Sequence, residues 1–205
     1  MAPSRAQSAD GAAEPPAFAL HRPDDAGRDA VEDFIREIYF RRYGARVRTF
    51  MPMLVSLQDA GGIVAAAGWR SAGASPLFLE RYLRTPVETL LASEQHGVPA
   101  RESIVEVGHL AASRAGEGRR LILALGPHLA QQRFQWVVST LTQELRSLFL
   151  RIGVTPLTLG VADPAALGDE AADWGSYYEH RPLVLAGHLP QALRRLAARG
   201  RGAAQ

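Results

Sequence analysis

Apolar positions recur along this chain with two different periods, one typical of helices and one typical of strands. Helices are indicated where apolar residues recur three and four positions apart, as Val31, Phe34, Ile35 and Ile38 do. Short apolar or alternating runs indicate strands. These patterns predict strands at residues 17–22, 53–58, 63–70, 104–112, 134–142, 155–162 and 181–187, and helices at 25–43, 86–95, 119–133, 142–153 and 190–199.

The order of these elements predicts an α/β (α+β) fold, a mixed twisted sheet with helices on both faces. An early hairpin at residues 53–70 implies antiparallel neighbours, and the later strand–helix–strand connections are typical of parallel ones. We expect one domain at residues 17–198, because no linker or repeat interrupts the pattern. Residues 1–16 and 199–205 are expected to be disordered tails.

Composition narrows the chemistry available to this domain. The chain has 205 residues, 47% of them hydrophobic, which is enough for a single core. It contains no cysteine, so disulfides and thiolate metal sites are excluded. All 23 basic residues are arginine, which excludes a lysine Schiff base and a Walker-type phosphate site. With a net charge of only +2 and no dense basic stripe, the sequence predicts no nucleic-acid partner.

The sequence also lacks recognisable targeting and metal signals. No apolar run approaches the roughly 18 residues that a membrane span needs, and the first residues include no apolar core of a signal peptide. We therefore expect a cytoplasmic protein. His96, His128 and His180 are far apart and match no ligand spacing, so no metal site is predicted.

One acidic residue, Glu106, interrupts the apolar run IVEVGHLAA. A carboxylate is costly to bury without a partner, and burial raises its pKa. Glu106 is therefore either a general base that faces a cleft or one half of a structural ion pair with Arg70 or Arg101. Strand alternation puts Glu106 and Gly108 on one face and His109 on the other. Gly108 suits either close packing by a large neighbour or a bulge near a ligand.

A glycine-rich turn, Ser113 to Gly118, follows this strand and leads into a helix that begins with two arginines. Glycines let backbone N–H groups converge and a helix N-terminus attracts an anion, so the turn is a candidate phosphate loop. Arg119 and Arg120 add positive charge there, whereas Glu117 opposes an anion. The alternative is an ordinary turn.

Four stretches, FLERYLRTPVETLL, IVEVGHLAA, FQWVVSTLT and DWGSYYEHRPLVLAG, occur in an order and at a spacing that resemble the thermostable hemolysin family. The resemblance runs from about Phe18 to His188. Sequences of this family are similar to the GNAT acyltransferases and the acyl-homoserine-lactone synthases. Residues 104–152 resemble the GNAT core of strand, glycine-rich turn, helix, strand and helix. The resemblance therefore implies a GNAT-like fold that binds an acyl thioester.

These families imply an N-acyltransferase that moves a fatty acyl group from acyl-CoA or an acyl-carrier protein to a small amine such as an amino acid. GNAT enzymes often place their base on the central strand, which corresponds to Glu106, and backbone N–H groups of that strand would stabilise the oxyanion. His109 and Tyr177 are further catalytic candidates. The thioester cofactor is expected at Ala111, Ser113, Arg114, Gly116, Gly118, Arg119 and Arg120, and the substrate at Arg70, Ser139, Thr140, Trp174 and Tyr178.

This chain departs from those families at two positions. Ser113 stands where GNAT loops carry Gln or Arg. His109 stands where acyl-homoserine-lactone synthases carry an arginine three residues after the acid, which weakens the expectation of a homoserine-lactone product or an S-adenosylmethionine substrate.

Several candidate residues also have structural interpretations. Ser139 and Thr140 suit capping of the helix that follows them. Trp174, Tyr177 and Tyr178 suit a packing cluster, or a wall of the cleft that contacts the acceptor.

The family name implies a different activity, which is lysis of membranes by the protein itself. The terminal stretch LPQALRRLAARGR is short, basic and partly amphipathic, and it suits peripheral contact with an anionic membrane surface. A non-catalytic module that binds thioesters is a third hypothesis. Arg81 and Arg84 suit an acidic carrier protein, anionic lipid heads or simply a solvated helix face. The sequence does not predict the oligomeric state.

Overall fold

Seven strands and five helices make up the part of the chain that the structure, a computed structural model, describes, which is residues 15–93 and 97–202. The strands are β1 Ala17–His21, β2 Met53–Asp59, β3 Gly62–Ser71, β4 Ile104–Ala112, β5 Trp136–Leu141, β6 Leu157–Val161 and β7 Leu183–His188. The helices are α1 Arg28–Tyr43, α2 Val87–Leu90, α3 Glu117–Gln131, α4 Gln143–Ile152 and α5 Leu189–Gly202. Short 3₁₀ segments lie at Phe78–Tyr82, Arg101–Ser103, Pro164–Trp174 and Tyr177–His180.

All seven strands belong to one sheet, in the order β1-β2-β3-β4-β5-β7-β6. Neighbours are antiparallel except for β4 and β5, which are parallel because α3 carries the chain back between them. The prediction of a mixed sheet is therefore confirmed.

Helices cover both faces of this sheet, as predicted. Leu54 of β2 belongs to a core that includes Val31 and Ile35 of α1. The next residue, Val55, points to the other face and belongs to a core with Leu121 of α3. Because successive side chains of a strand alternate, α1 and α3 lie on opposite faces.

A third core adjoins the α1 face and fixes the chain between β3 and β4. Leu79 and Val87 pack there with Val138 of β5 and Val184 of β7. Residues 77–91, which we call the cap segment, therefore cover the part of the sheet where β5 meets its neighbours.

The helix predicted at 86–95 differs from the structure, because α2 is a single turn. After it, Ser93 and Gly97 exchange backbone hydrogen bonds of 3.2 and 2.8 Å, which close a tight turn and stop the helix. The predicted end at Gln95 lies outside the described residues.

The last helix is longer than predicted and includes residues 199–202, which we expected to be part of a tail. One physical reason is that Arg199 donates a hydrogen bond of 3.3 Å to the carbonyl of Arg151 and so ties this end of α5 to the end of α4. The rest of the two expected tails, residues 1–14 and 203–205, lies outside the described residues.

Candidate active site

The parallel strands β4 and β5 separate part of the way along the sheet. Their ladder consists of the pairs Ile104–Trp136, Val105–Val137 and Glu106–Val138. Beyond these pairs, β4 continues beside β3 to Ala112 and β5 continues beside β7 to Leu141. A gap is therefore present at the centre of the sheet, and the two strand edges that border it do not pair with each other.

A β-bulge in β4 lies beside this gap. Between Gly108 and Ala111, β4 has two residues where β3 has one. The first of them, His109, has a φ of 52°, in the left-handed region. The extra residue reverses the alternation of side chains, so our prediction that His109 faces away from Glu106 is wrong: both line one cavity. Leu110 packs instead on the face of α3.

Gly108 has the close packing that one interpretation of its sequence position expected, and the other interpretation, a bulge near a ligand, is matched as far as the bulge. It borders the bulge, and a Cβ atom at this position would lie 2.8 Å from Cε of Met51. The flexible end of Met51 therefore fills the space above Gly108.

Most of the predicted catalytic and substrate residues meet at the gap, in what we call the polar cavity. Its wall includes the three catalytic candidates Glu106, His109 and Tyr177 and four substrate candidates, Arg70, Thr140, Trp174 and Tyr178. Sequence analysis did not identify Tyr39, Thr49, Met51, Phe78 and Tyr82, which also line it. The only signal for Phe78 and Tyr82 was their four-residue spacing, which indicates a helical turn and no contact with Glu106.

Glu106 is 3% exposed, and both of its carboxylate oxygens accept backbone hydrogen bonds from the cap segment. Phe78 N–H donates to Oε2 at 2.8 Å and Leu79 N–H to Oε1 at 3.0 Å. Burial raises the pKa of this carboxyl group, although these bonds and the charge of Arg70 oppose the change. Glu106 therefore combines a site for a proton with an anchor for the cap segment.

The two arginines considered as ion-pair partners of Glu106 behave differently. Nε of Arg70 lies 3.4 Å from Oε2 of Glu106, in the polar cavity, without the alignment of a hydrogen bond. Arg101 is wrong as a partner, because it binds Glu80 through two hydrogen bonds of 2.8 and 2.9 Å and also Glu88. The guanidinium of Arg101 lowers the pKa of Glu80 to about 2.

His109 is held in its uncharged form. Burial lowers its pKa to about 4, and the positive charges of Arg70 and Arg28 act in the same direction. A hydrogen bond to the backbone of Thr49 opposes them. Nδ1 is buried without a hydrogen-bond partner among the described residues. The ring therefore has a nitrogen whose lone pair is unused if the other nitrogen carries the proton.

Tyr177 places its hydroxyl group at the edge of the gap. The hydroxyl donates a hydrogen bond of 3.3 Å to the carbonyl of Thr140, which lies beyond the last residue of β5 that pairs with β4. Burial raises the pKa of this hydroxyl well above its ordinary value, so it stays protonated and remains a donor.

The aromatic residues near Tyr177 form a packing cluster that also lines the polar cavity. The ring of Tyr177 lies 5.4 Å from those of Trp174 and Tyr178 and 6.4 Å from that of Tyr39. The hydroxyl groups of Tyr178 and Tyr82 lie 2.7 Å apart and join this cluster to the cap segment.

Ser139 lies on the opposite face of the sheet from Thr140, because adjacent strand residues alternate. It lines a second cavity, the apolar cavity, whose wall is built by β4, β5, β7, α3, α4 and α5. The side chains that surround it include Val107, Leu125, Phe149, Ile152 and Leu193, and Ser139 is the polar one among the twenty lining residues. Apolar and polar cavities thus lie on the two sides of the same gap.

The turn after β4 contains residues that already have partners in the fold. The N–H and hydroxyl groups of Ser113 both donate to the carbonyl of Val64, at 3.0 and 3.2 Å. Arg114 forms an ion pair with Asp59 at the end of β2. Arg120 donates a hydrogen bond of 3.1 Å to Glu117, whose other carboxylate oxygen is buried without a partner.

Another cavity lies where α3 begins, and we call it the entrance cavity. Ala111 and Gly118 line it together with Arg42 of α1 and Leu145 of α4. The residue before α3, Gly116, has a φ of 91°, which favours glycine. Tyr39 lines both this cavity and the polar cavity, so the start of α3 lies near the gap.

Within residues 15–93 and 97–202, no three histidine or acidic side chains cluster in a way that would hold a metal ion. In the same part of the chain, no helix has both the length and the apolar character needed to cross a bilayer.

Solved structures with this fold include several acyl-transferring enzymes. FeeM, an N-acyl amino acid synthase from uncultured soil microbes, has a TM-score of 0.60 at 13% identity over 88% of this chain and 94% of its own. The acyl-homoserine-lactone synthase LasI has 0.56 at 15% identity over 85% and 91%. MesI, a CoA-dependent acyl-homoserine lactone synthase, has 0.53 at 13% identity over 88% and 93%. At such identities the likeness establishes the fold, which is GNAT-like.

The family of the chain follows from its sequence. Among curated proteins, none matches it significantly. The family model described as thermostable hemolysin matches residues 21–193, which is most of the chain and includes every strand from β2 to β7. The resemblance seen in the sequence is confirmed, and the chain belongs to the thermostable hemolysin family.

Proposed function

We propose that this protein is an N-acyltransferase that moves a fatty acyl group from acyl-CoA or an acyl-carrier protein to a small amine such as an amino acid. The observation that carries the proposal is the gap between β4 and β5, with an apolar cavity on one side and a polar cavity containing a buried carboxylate on the other. The apolar cavity suits the chain of a fatty thioester, and the polar cavity suits an amine.

The donor fits the gap and the cavities beside it. The acyl chain would enter the apolar cavity, where burial of its methylene groups stabilises binding by about 0.8 kcal/mol each. The pantetheine arm would leave through the entrance cavity, near the positive end of α3 and Arg42. The thioester carbonyl would then lie in the gap, where the unpaired backbone N–H groups of β4 are available to an oxyanion.

The acceptor fits the polar cavity. An amine has to lose a proton as its nitrogen attacks the thioester carbon, and Glu106 is the candidate base, with neutral His109 beside it. The C–N bond forms, the C–S bond breaks, and the leaving thiolate takes up the proton that Glu106 removed from the amine, with the Tyr177 hydroxyl as the candidate hydrogen-bond donor to the sulfur. Arg70 is placed to pair with the carboxylate of an amino acid.

The names of two structural neighbours support parts of this proposal. FeeM is described as an N-acyl amino acid synthase, and MesI as a CoA-dependent enzyme. His109 replaces the arginine of acyl-homoserine-lactone synthases, which favours an ordinary amino acid over a homoserine-lactone product.

To test the proposal, the purified protein is incubated with acyl-CoA or acyl-carrier-protein species of several chain lengths and with a panel of amines. Release of free thiol is measured, and the product is identified by mass spectrometry. We expect Glu106→Gln to lower kcat by about 100-fold or more, which is typical for the loss of a general base. The matched control is Glu80→Gln, because Glu80 also anchors the cap segment, through Leu77 N–H and Val87 N–H, without lining the polar cavity.

Equal losses in the two variants would mean that Glu106 acts only as an anchor. Absence of both thiol release and thioester binding, for every chain length and amine, would overturn the proposed function. Leakage of liposomes caused by the protein alone and unchanged by Glu106→Gln would favour direct lysis, and thioester binding without turnover would favour a binding module.

A further inference from the structure

The outer side of α5 has a charge pattern that acyl transfer does not use. This helix turns Ala192, Leu193 and Leu196 toward the apolar cavity. Arg194 and Arg195 are exposed on its other side. A single helix therefore separates a cavity suited to an acyl chain from a row of positive charges.

Arginines also lie at both ends of α5. The N–H of Leu189, the first residue of α5, donates a hydrogen bond of 2.8 Å to the carbonyl of Gln135, two residues after the exposed Arg133. At the other end, Arg199 donates to the carbonyl of Arg151. We call Arg133, Arg151, Arg194, Arg195 and Arg199 the α5 surface.

The segments that build this side of the molecule contain almost no compensating acid. Residues 118–143, 145–162 and 181–205 contain no aspartate or glutamate. Glu144, between the first two segments, lies 2.9 Å from Nδ1 of His180, and the five acids of residues 163–180 belong to the chain between β6 and β7. Although the whole chain has a net charge of only +2, its positive charge is therefore concentrated in the part that forms α3, α4 and α5.

We propose that the α5 surface docks on an anionic lipid bilayer, with α5 parallel to the membrane and the apolar cavity directly behind it. Arginines near an anionic leaflet are attracted by its surface potential, and several weak attractions add up. A bilayer fits better than an acidic carrier protein, because a carrier has to deliver its arm through the entrance cavity at the start of α3. From Gly118 to Gly126, where α5 packs, the helix rises about 12 Å.

The consequence for the acyl group and the preference for a bilayer over a carrier protein rest on the proposed function, whereas the attraction of the α5 surface to an anionic surface does not. A membrane-facing α5 would let a lipid-like chain pass between the bilayer and the apolar cavity without crossing water. Docking would also hold the entrance cavity away from the membrane, open to a soluble thioester.

The test is sedimentation of the full-length protein with vesicles, without any thioester. We expect binding to vesicles that contain phosphatidylglycerol, little binding to pure phosphatidylcholine, and weaker binding at high salt because the charges are screened. The double variant Arg194→Gln/Arg195→Gln should bind the anionic vesicles on the order of 30-fold more weakly. The control, Arg22→Gln/Arg41→Gln, changes the net charge equally at two exposed positions away from α5 and should bind nearly as well as the wild type.

Three results would overturn the docking: no preference of the wild type for anionic vesicles, equal losses in the two double variants, or a loss confined to binding of a purified apo carrier protein. Thiol release from a short, water-soluble thioester should be unchanged in the α5 variant, whose substituted residues line neither the apolar cavity nor the polar cavity. Vesicle binding that depends on Arg194 and Arg195 in a protein without transferase activity would support the docking and contradict the proposed function.

Discussion

At the scale of single residues, the environment of His109 differs strongly from that of an exposed histidine. Its ring lies in the polar cavity beside Arg70, one nitrogen has no partner among the described residues, and its pKa is lowered to about 4. Protonation of this ring would place an uncompensated charge in the interior. The residue should therefore make folding sensitive to mild acid.

We predict that His109→Gln flattens the dependence of stability on pH between about 6.5 and 4. In the unfolded chain a histidine takes up its proton near pH 6.5, whereas His109 in the folded protein does so near pH 4. Between these values the unfolded state binds more protons, so the free energy of unfolding falls as the pH falls, by about 3 kcal/mol for this group. Urea unfolding at several pH values measures the pH dependence of the free energy of unfolding.

The slope of the free energy of unfolding against pH has to be compared between the variant and the wild type, because Glu106 changes this slope in the opposite direction. Its raised pKa means that the folded state holds its proton more strongly, so its contribution to stability falls as the pH rises. An unchanged slope in the His109→Gln variant would contradict the prediction.

The same residues show how far the sequence determines the site. Alternation along β4 placed Glu106 correctly, since burial of a lone acid in an apolar strand signals a partner or a cleft. It misplaced His109, because a bulge inserts one residue without changing the apolar pattern, and Leu110 suits either face. Ser139 and Thr140 were assigned to one site although adjacent strand residues point to opposite faces.

At the scale of elements, the irregular chain between β6 and β7 depends on two glycines with nearly the same backbone. Gly168 has φ 58° and ψ −133°, and Gly175 has φ 52° and ψ −128°. They differ in surroundings: a Cβ atom at Gly168 would meet nothing within 4 Å, whereas one at Gly175 would lie 2.1 Å from the carbonyl oxygen of Tyr43. Gly175 therefore lets this segment pack on the end of α1.

We predict that Gly175→Ala destabilises the protein clearly more than Gly168→Ala. Both substitutions strain the backbone, at a cost of about 1–3 kcal/mol. Gly175→Ala adds a steric clash that costs roughly 1–3 kcal/mol more and should also weaken thioester turnover, because Trp174 and Tyr177 flank it in the polar cavity. Thermal and urea unfolding of the two variants provide the comparison, and equal losses would contradict it.

Sequence periodicity predicted the regular elements well and the cap segment poorly. β4 begins and ends where its apolar run does, since burial on both faces requires an apolar run. The cap segment is held by contacts that have no local signature, namely those of Glu106 with Phe78 and of Arg101 with Glu80. Such pairs are separated by about 20 or more residues, so no window of the sequence contains the reason for the fold of that segment.

At the scale of the whole molecule, the two cavities on opposite faces divide the proposed substrates between them. The apolar cavity ends against α5, where Ala192 lines it. Ala192 is the smallest of the four α5 side chains that line the cavity, so enlarging it would narrow that side.

We predict that Ala192→Leu shifts the preferred donor to a shorter acyl chain, because the added methyl groups fill the space that the end of a long chain would occupy. The kcat/KM for long-chain thioesters should fall by about tenfold, as expected for roughly 1–2 kcal/mol of lost burial, with little change for short chains. Ala197→Leu is the matched control, since Ala197 is exposed on the same helix. A parallel loss for all chain lengths would contradict the assignment of this cavity.

The parting of β4 and β5 also has a consequence for association between molecules. An unpaired strand edge on a surface is a template to which a neighbouring chain can add. Here the two extra edges lie at the centre of the sheet, whose two faces are covered by α1 and α3. Only a narrow, extended group can reach these edges. The protein can therefore leave backbone hydrogen-bonding groups unpaired without presenting them to a neighbouring molecule.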